Sequence, residues 1–120
     1  MQRLTQAEEQ IMQIIWEIAP CSVGQIMDKL GPPRPPHSTI SSIVRILNKK
    51  GFLQHEAYGR TFVYRPKIKK SSYMRSFLKD LVHKYFSDSP AHLVSFLVKQ
   101  NDLDPKELND LIDQLKNKES

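Results

Sequence analysis

The chain is poor in cysteine, and Cys21 is the only one among its 120 residues. A single cysteine excludes an internal disulfide and any cysteine-rich metal site. No apolar stretch approaches the roughly 18–20 residues that a membrane-spanning helix needs. The first five residues run straight into a helical pattern and lack the apolar region of a signal peptide. We therefore expect a cytoplasmic protein without membrane insertion, in which Cys21 is a small, partly buried residue.

The sequence also lacks the patterns that carry catalysis. Its four histidines, His37, His55, His83 and His92, are scattered, and none has the spacing of a metal ligand pair. It has no glycine-rich phosphate-binding motif and no nucleophile and base at a supporting spacing. These absences predict that the protein is not an enzyme and holds no metal and no cofactor.

Acidic residues are nearly missing from the middle of the chain. Residues 34–70 contain nine lysines and arginines against Glu56 alone, a net charge of +8. Residues 1–33 carry a net charge of −2, and residues 71–120 a net charge of −1. Positive charge confined to one block is typical of a surface that lies against nucleic-acid phosphates. A solvated basic face without a partner is the alternative.

Three helices are predicted in the first 50 residues. A capping box at Thr5–Glu8 and an apolar stripe predict a first helix over about 5–18. A second capping box at Ser22–Gln25 begins a short helix that Gly31 and Pro32 end. The proline-rich segment 31–36 is predicted to be a rigid turn, with a polyproline ligand as the alternative. A third helix is predicted over 37–50.

The third helix has an apolar side formed by Ile40, Ile43, Val44 and Leu47. Its opposite side is small, hydroxylated and basic, and the helix contains no acidic residue. Short side chains permit close approach to a DNA major groove, and an arginine can pair with guanine through two hydrogen bonds. The predicted DNA-binding residues of this helix and the adjoining hairpin are His37, Ser38, Thr39, Ser41, Ser42, Arg45, Lys49, Lys50 and Arg60.

Two β-rich runs, 52–57 and 61–65, follow the third helix, and Tyr58-Gly59-Arg60 is predicted to join them as a hairpin. Three short helices followed by a hairpin is the order of a winged helix-turn-helix domain, which we place at residues 1–68. In that fold the third helix enters the major groove. Arg60, at the tip of the wing, is then a phosphate or minor-groove contact.

Residues 69–120 form a second, helical region in this prediction, so the fold class is mainly α. Helices are expected over about 71–87, after Ser89-Pro90 and from Asp104. This much apolar surface is best buried against a second copy, with packing onto the first domain as the alternative. The predicted dimerisation residues are Tyr73, Phe77, Leu81, Leu93, Leu97, Leu108, Leu111, Ile112 and Leu115.

Several stretches resemble the penicillinase-repressor family of BlaI, MecI and CopY. They are the run from Leu4 to Met12 with Ile15-Trp16, Ser38-Thr39-Ile40, the run from Leu47 to Phe52, and the run from Tyr58 to Tyr64. The resemblance covers nearly the whole chain. It implies a homodimeric transcriptional repressor whose winged helix binds double-stranded DNA at a palindromic operator.

The resemblance also implies how repression ends. In the antibiotic-responsive branch a membrane sensor metalloprotease signals, and the repressor is cut within its dimerisation domain. The matching bond here is near Phe96-Leu97. The copper-responsive branch has a C-terminal cysteine cluster that this chain lacks. The family's reading contacts fall on Ser38, Thr39 and Ser42, with Arg45 as this chain's most prominent basic candidate.

A second function remains open on the residues alone. A winged helix with a basic face is also suited to docking an acidic protein partner. In that case the protein is an interaction module rather than a repressor.

Overall fold

The computed structural model describes residues 2–101, 104–107, 109–110 and 113. The elements run in the order α1 (Gln6–Ile18), α2 (Val23–Leu30), α3 (His37–Lys49), β1 (Leu53–Tyr58), β2 (Thr61–Pro66), α4 (Lys70–Tyr85) and α5 (Pro90–Asn101). The chain divides after Ser76 into two compact units, here called the first and the second unit. The mainly helical fold with one hairpin confirms the predicted fold class.

The first two helices begin at the predicted caps. Thr5 Oγ1 accepts a hydrogen bond from the Glu8 amide at 3.2 Å, and Glu8 Oε1 accepts one from the Thr5 amide at 2.8 Å. Ser22 and Gln25 exchange the same pair of bonds at the start of α2. These bonds satisfy amides that have no partner within the helix. Gly31 ends α2 with φ +68°, a left-handed conformation that favours glycine.

The core of the first unit lies between the three helices and the hairpin. Its buried apolar members come from every element of the unit: Leu4, Ile11, Met12, Ile15, Cys21, Ile26, Ile40, Val44, Leu47, Phe52, Leu53, Tyr64 and Tyr73. Cys21 is fully buried rather than partly buried as predicted, and burial raises the pKa of its thiol. This core holds α3 with its opposite, polar side outward.

The hairpin is antiparallel, and His55 pairs with Tyr64 in its ladder. The connection is shorter than predicted, because Tyr58 pairs with Thr61 and leaves only Gly59 and Arg60 in the turn. Gly59 has φ +63°, as tight two-residue hairpin turns require. At its base the hairpin gains one further bridge, to the segment between α1 and α2. Cys21 and Tyr64 exchange backbone hydrogen bonds of 3.1 and 2.7 Å.

The start of α4 belongs to the first unit. Tyr73 is buried, with its ring centroid 5.9 Å from that of Trp16 and 5.7 Å from that of Phe52. Its hydroxyl oxygen accepts a hydrogen bond of 3.1 Å from the Leu4 amide. The assignment of Tyr73 to a dimer surface is therefore corrected, since an apolar helix position does not reveal which surface covers it. The boundary between the two units falls inside α4, after Ser76, and the assignment of residues 1–68 to a winged-helix domain stays a prediction.

The second unit leaves much of its apolar surface exposed. Phe77, Leu78, Tyr85, Phe96 and Leu97 are exposed, whereas Leu81 and Leu93 are half-buried. The last part of the predicted dimer surface, at Leu108, Leu111, Ile112 and Leu115, lies outside the described residues. Along the described part of the chain, no helix combines the length and the hydropathy needed to cross a membrane.

Candidate nucleic-acid interface

A groove of about 740 Å³ separates α3 from the hairpin in the first unit. The N-terminus of α2 closes one end of it. Twelve residues line the groove: Ser22, Val23, Gly24, His37, Ser41, Arg45, Asn48, His55, Arg60, Thr61, Phe62 and Tyr64. Four of these, His37, Ser41, Arg45 and Arg60, were predicted as DNA-binding residues from the sequence.

The polar side of α3 carries two neighbouring rows of side chains. His37, Ser41, Arg45 and Asn48 form the row that lines the groove. The other row, with Ser38, Ser42 and Lys49, and the flanking Thr39, are exposed outside the groove. Arg45 stands at helical spacing to both rows, because it follows Ser38 by seven positions and Ser41 by four. It is therefore the central charge of this side of the helix.

The groove contains no carboxylate among its lining residues. Across the described part of the chain, Arg45, Lys49 and Arg60 form no salt bridge, so their charges face solvent. Burial raises the pKa of the Tyr64 hydroxyl, and the nearby positive charge of Arg45 partly opposes that rise. The groove is thus a positively charged surface whose cations are not neutralised by neighbouring carboxylates. Such a surface attracts an anionic partner.

Lys50 has a different environment from the other predicted contacts. Its Nζ donates hydrogen bonds of 2.8 Å to both carboxylate oxygens of the buried Glu8. Burial would raise the pKa of Glu8, but the bonds from Lys50 and Thr5 more than offset this, so the pKa lies below its usual value. Lys50 therefore ties the end of α3 to the start of α1, and its assignment to the DNA surface stays a prediction.

The hairpin side of the groove holds residues that the sequence patterns did not indicate. His55 Nδ1 lies 2.9 Å from Asn48 Oδ1, which joins β1 to α3. The His55 ring also meets the rings of Phe62 and Tyr64, at centroid distances of 5.2 and 5.8 Å. Strand alternation was the available signal, since Leu53 is buried and His55, two positions on, shares its face.

The arrangement offers hydrogen-bond donors and positive charge rather than catalytic groups. The described residues contain no group of His, Cys, Asp and Glu side chains that could hold a metal ion. Hydroxyls on α3 and guanidinium groups on both sides of the groove are suited to phosphate oxygens and base edges. Three helices, a wing and this basic groove define a winged-helix protein with a nucleic-acid-binding face.

The chain belongs to the penicillinase repressor family, whose model matches residues 4–117. Over 110 residues it is 26% identical to the penicillinase repressor of Bacillus licheniformis, covering 91% of this chain and 86% of that protein. The family model and this relative are both penicillinase repressors, and the protein is likewise a DNA-binding transcriptional repressor and not an enzyme.

Two solved structures are similar to part of the chain. One is the solution structure of the DNA-binding domain of the repressor BlaI, with a TM-score of 0.53 and 32% identity over 59% of this chain and 88% of that chain. The other is monomeric BlaI of Bacillus licheniformis in complex with the blaP half-operator, with a TM-score of 0.51 and 32% identity over 60% of this chain and 89% of that chain. This likeness confirms the predicted winged-helix fold.

Proposed function

We propose that this repressor binds a palindromic duplex operator as a homodimer and that each copy inserts α3 into the major groove of one half-site. The observation that carries the proposal is the basic groove without a carboxylate between α3 and the hairpin. The similar BlaI structure with its half-operator supports the same use of this face. The proposal includes a cytoplasmic location, because the operator is DNA inside the cell.

The exposed residues of α3 have distinct roles in this proposal. Ser38, Thr39 and Ser42 are short, so they allow the helix to approach the base edges closely. Arg45, central on the polar side, donates two hydrogen bonds to a guanine. The remaining contacts, from His37, Ser41, Lys49 and Arg60, are assigned to the DNA backbone, which supplies most of the salt-dependent affinity.

Two observations support dimerisation in this proposal. One α3 contacts one half-site, so a palindrome requires two copies held at the half-site spacing. The second unit exposes Phe77, Leu78, Tyr85, Phe96 and Leu97, a set of large apolar side chains that a second copy would cover. We assign to it the dimer surface, with Leu81 and Leu93 at its half-buried edge.

The proposal is tested by operator binding of the full chain at several salt concentrations. A palindromic duplex selected from a random pool is expected to bind with an affinity that falls by about 0.9 log unit per log unit of salt for each phosphate neutralised. Absent or salt-independent duplex binding would contradict the proposal. A specific protein complex that duplex DNA cannot displace would instead favour the acidic-partner alternative.

Arg45→Ala tests the base contact. We expect a loss of about 1–3 kcal/mol of specific binding and a relaxed preference at one base position, because a bidentate contact to guanine disappears. Arg34→Ala is the matched control, since Arg34 lies in the proline-rich turn 3.4 Å from Asp28 and outside the groove. An unchanged base preference in the Arg45 variant would show that this residue does not read a base.

We further propose that a membrane sensor metalloprotease pathway relieves repression by cleavage near Phe96-Leu97. This bond lies within α5, which spans Pro90–Asn101, so the helix must open locally before a protease can bind the backbone. Immunoblots of induced cells test the idea. Intact protein in cells that fully express the repressed genes would argue against it.

A further inference from the structure

We infer that His55 is a further DNA contact, which binds a backbone phosphate in its protonated form and makes operator affinity rise as the pH falls. The inference rests on the proposed function, because the phosphate belongs to the operator in the groove. It concerns a residue on the hairpin that neither helical periodicity nor net charge selects.

The geometry fixes the His55 ring on three sides. Asn48 from α3 holds one ring nitrogen, Nδ1, at 2.9 Å, and Phe62 and Tyr64 from β2 contact the ring. With Nδ1–H donating to Asn48 Oδ1, the second nitrogen, Nε2, is left for another partner. Among the described residues Nε2 has none, although His55 is exposed and lines the groove. When it is protonated, a ring held this way can donate Nε2–H to an oxygen atom.

The charged and titratable groups around His55 come from the elements that line the groove. Arg45 and His37 face the groove from α3, Arg60 and Tyr64 face it from the hairpin, and α2 contributes only Ser22, Val23 and Gly24. The nearest carboxylate along the chain is Glu56, which accepts a hydrogen bond from the Tyr58 hydroxyl at 2.8 Å and does not line the groove. The groove around the His55 ring is therefore lined by two arginines and no carboxylate, an arrangement that favours an anion.

A phosphate oxygen in the groove favours the protonated form of the His55 ring. It attracts the imidazolium form and accepts its Nε2–H bond, so operator binding favours uptake of a proton by the ring. Histidine is the side chain that ordinarily changes charge between pH 5 and 8, whereas duplex phosphates stay ionised throughout. By linkage, proton uptake on binding makes the association constant increase as the pH is lowered through that range.

The experiment measures operator affinity of the full chain at pH 8 and pH 6, each over a salt series. We expect the wild type to bind about 3- to 10-fold more tightly at pH 6, as one linked proton allows. One additional phosphate contact should also steepen the salt dependence at pH 6 by about 0.9 log unit. His55→Gln should lose both changes. Asn48→Ala should reduce both with His55 in place, because the ring is no longer positioned.

His92→Gln is the matched control, since His92 lies on α5 in the second unit, and it should keep the full pH effect. Retention of the effect in His55→Gln, or its loss in His37→Gln alone, would overturn the inference. So would a pH effect that leaves the salt dependence unchanged, because this would indicate a base contact rather than a phosphate. Specific, salt-dependent binding with no pH effect would contradict only this inference, whereas absent duplex binding at both pH values would contradict the proposed function itself.

Discussion

The two units differ in how far they bury their large apolar side chains. In the first unit Phe52 is only 1% exposed and packs within a closed core, whereas in the second unit Tyr85 is 75% exposed and Phe96 is 48% exposed. Apolar side chains that stay exposed to water contribute little to the stability of a fold. The first unit is thus complete as a folded body with a polar groove on its surface. The second unit has apolar surface available for association. In the proposed function, the first unit binds DNA and the second unit holds two copies together.

The sharpest test of this difference compares two phenylalanines. Phe52→Ala should lower the free energy of unfolding by about 3–5 kcal/mol, because it leaves a cavity in the closed core. Phe96→Ala should change it by less than about 1 kcal/mol at a protein concentration that keeps the chain monomeric, since the side chain is half in water already. Urea unfolding measures both. Similar losses for the two variants would remove the distinction between the units.

A charge placed on the second unit should separate assembly from reading. Leu78→Glu should weaken binding to the palindromic operator by about 100-fold, because two half-sites are no longer engaged together, and should leave binding to a single half-site unchanged. Sedimentation would show a monomer. Gln100→Glu introduces the same residue at an exposed polar position and should alter neither property. A Leu78→Glu protein that remains dimeric would place the dimer surface elsewhere.

Within the first unit, the pair of Glu8 and Lys50 should matter more than any surface ion pair. Glu8→Gln should cost about 1–3 kcal/mol of stability, since a charge-assisted bond to the α3 terminus is lost. Glu17→Gln, the matched control, removes an exposed pair with Lys29 and should cost about 0.5 kcal/mol or less. Thermal unfolding at neutral pH distinguishes the two. Equal losses of stability would mean that the buried pair stabilises the fold no more than the exposed pair does.

The pH dependence of this pair has a definite sign. The pKa of Glu8 is lowered in the folded protein, so its stabilisation is present above the pKa of the unfolded chain and is lost as the pH falls through the folded value. Glu8→Gln should therefore flatten the acid side of the stability profile. A profile that keeps its full acid slope in this variant would assign the slope to other carboxylates.

The smallest expected effect tests where the first unit ends. Trp16 Nε1 donates a hydrogen bond of 2.9 Å to the Ile68 carbonyl, just before α4. Trp16→Phe removes that bond and should cost about 0.5–1.5 kcal/mol. Tyr85→Phe, which deletes a hydroxyl on an exposed ring, should be neutral in the same denaturant measurement. A neutral Trp16→Phe would mean that the segment before α4 contributes no stability to the core.

Local features of the first unit could be predicted from the sequence. The capping residues Thr5 and Ser22 act within four positions of their partners, so their spacing alone predicts helix starts. The apolar spacing of α3 likewise indicates which side faces the core and leaves Arg45 on the other. The hairpin was placed correctly because strand-forming residues surround Gly59.

Long-range pairs could not be predicted in this way. Lys50 and Asn48 carry the same local signal as any exposed helix residue, yet one binds Glu8 and the other binds His55. Tyr73 has the spacing of an apolar helix face, and that spacing is the same whether its own unit or another chain covers it. Apolar spacing indicates which side of a helix is buried, but it does not indicate which residues cover that side.

The bridge between Cys21 and Tyr64 has a mechanical consequence for the groove. It fastens the hairpin to the segment before α2 at one point near its base, while the turn at Gly59 and Arg60 has no such fastening among the described residues. This bridge therefore holds the hairpin near its base and not at its turn. We expect the tip to bend more easily than the part of β1 that the His55–Asn48 contact of 2.9 Å joins to α3. We therefore expect the mouth of the groove, rather than its wall beside Asn48, to adjust to the local width of a DNA backbone.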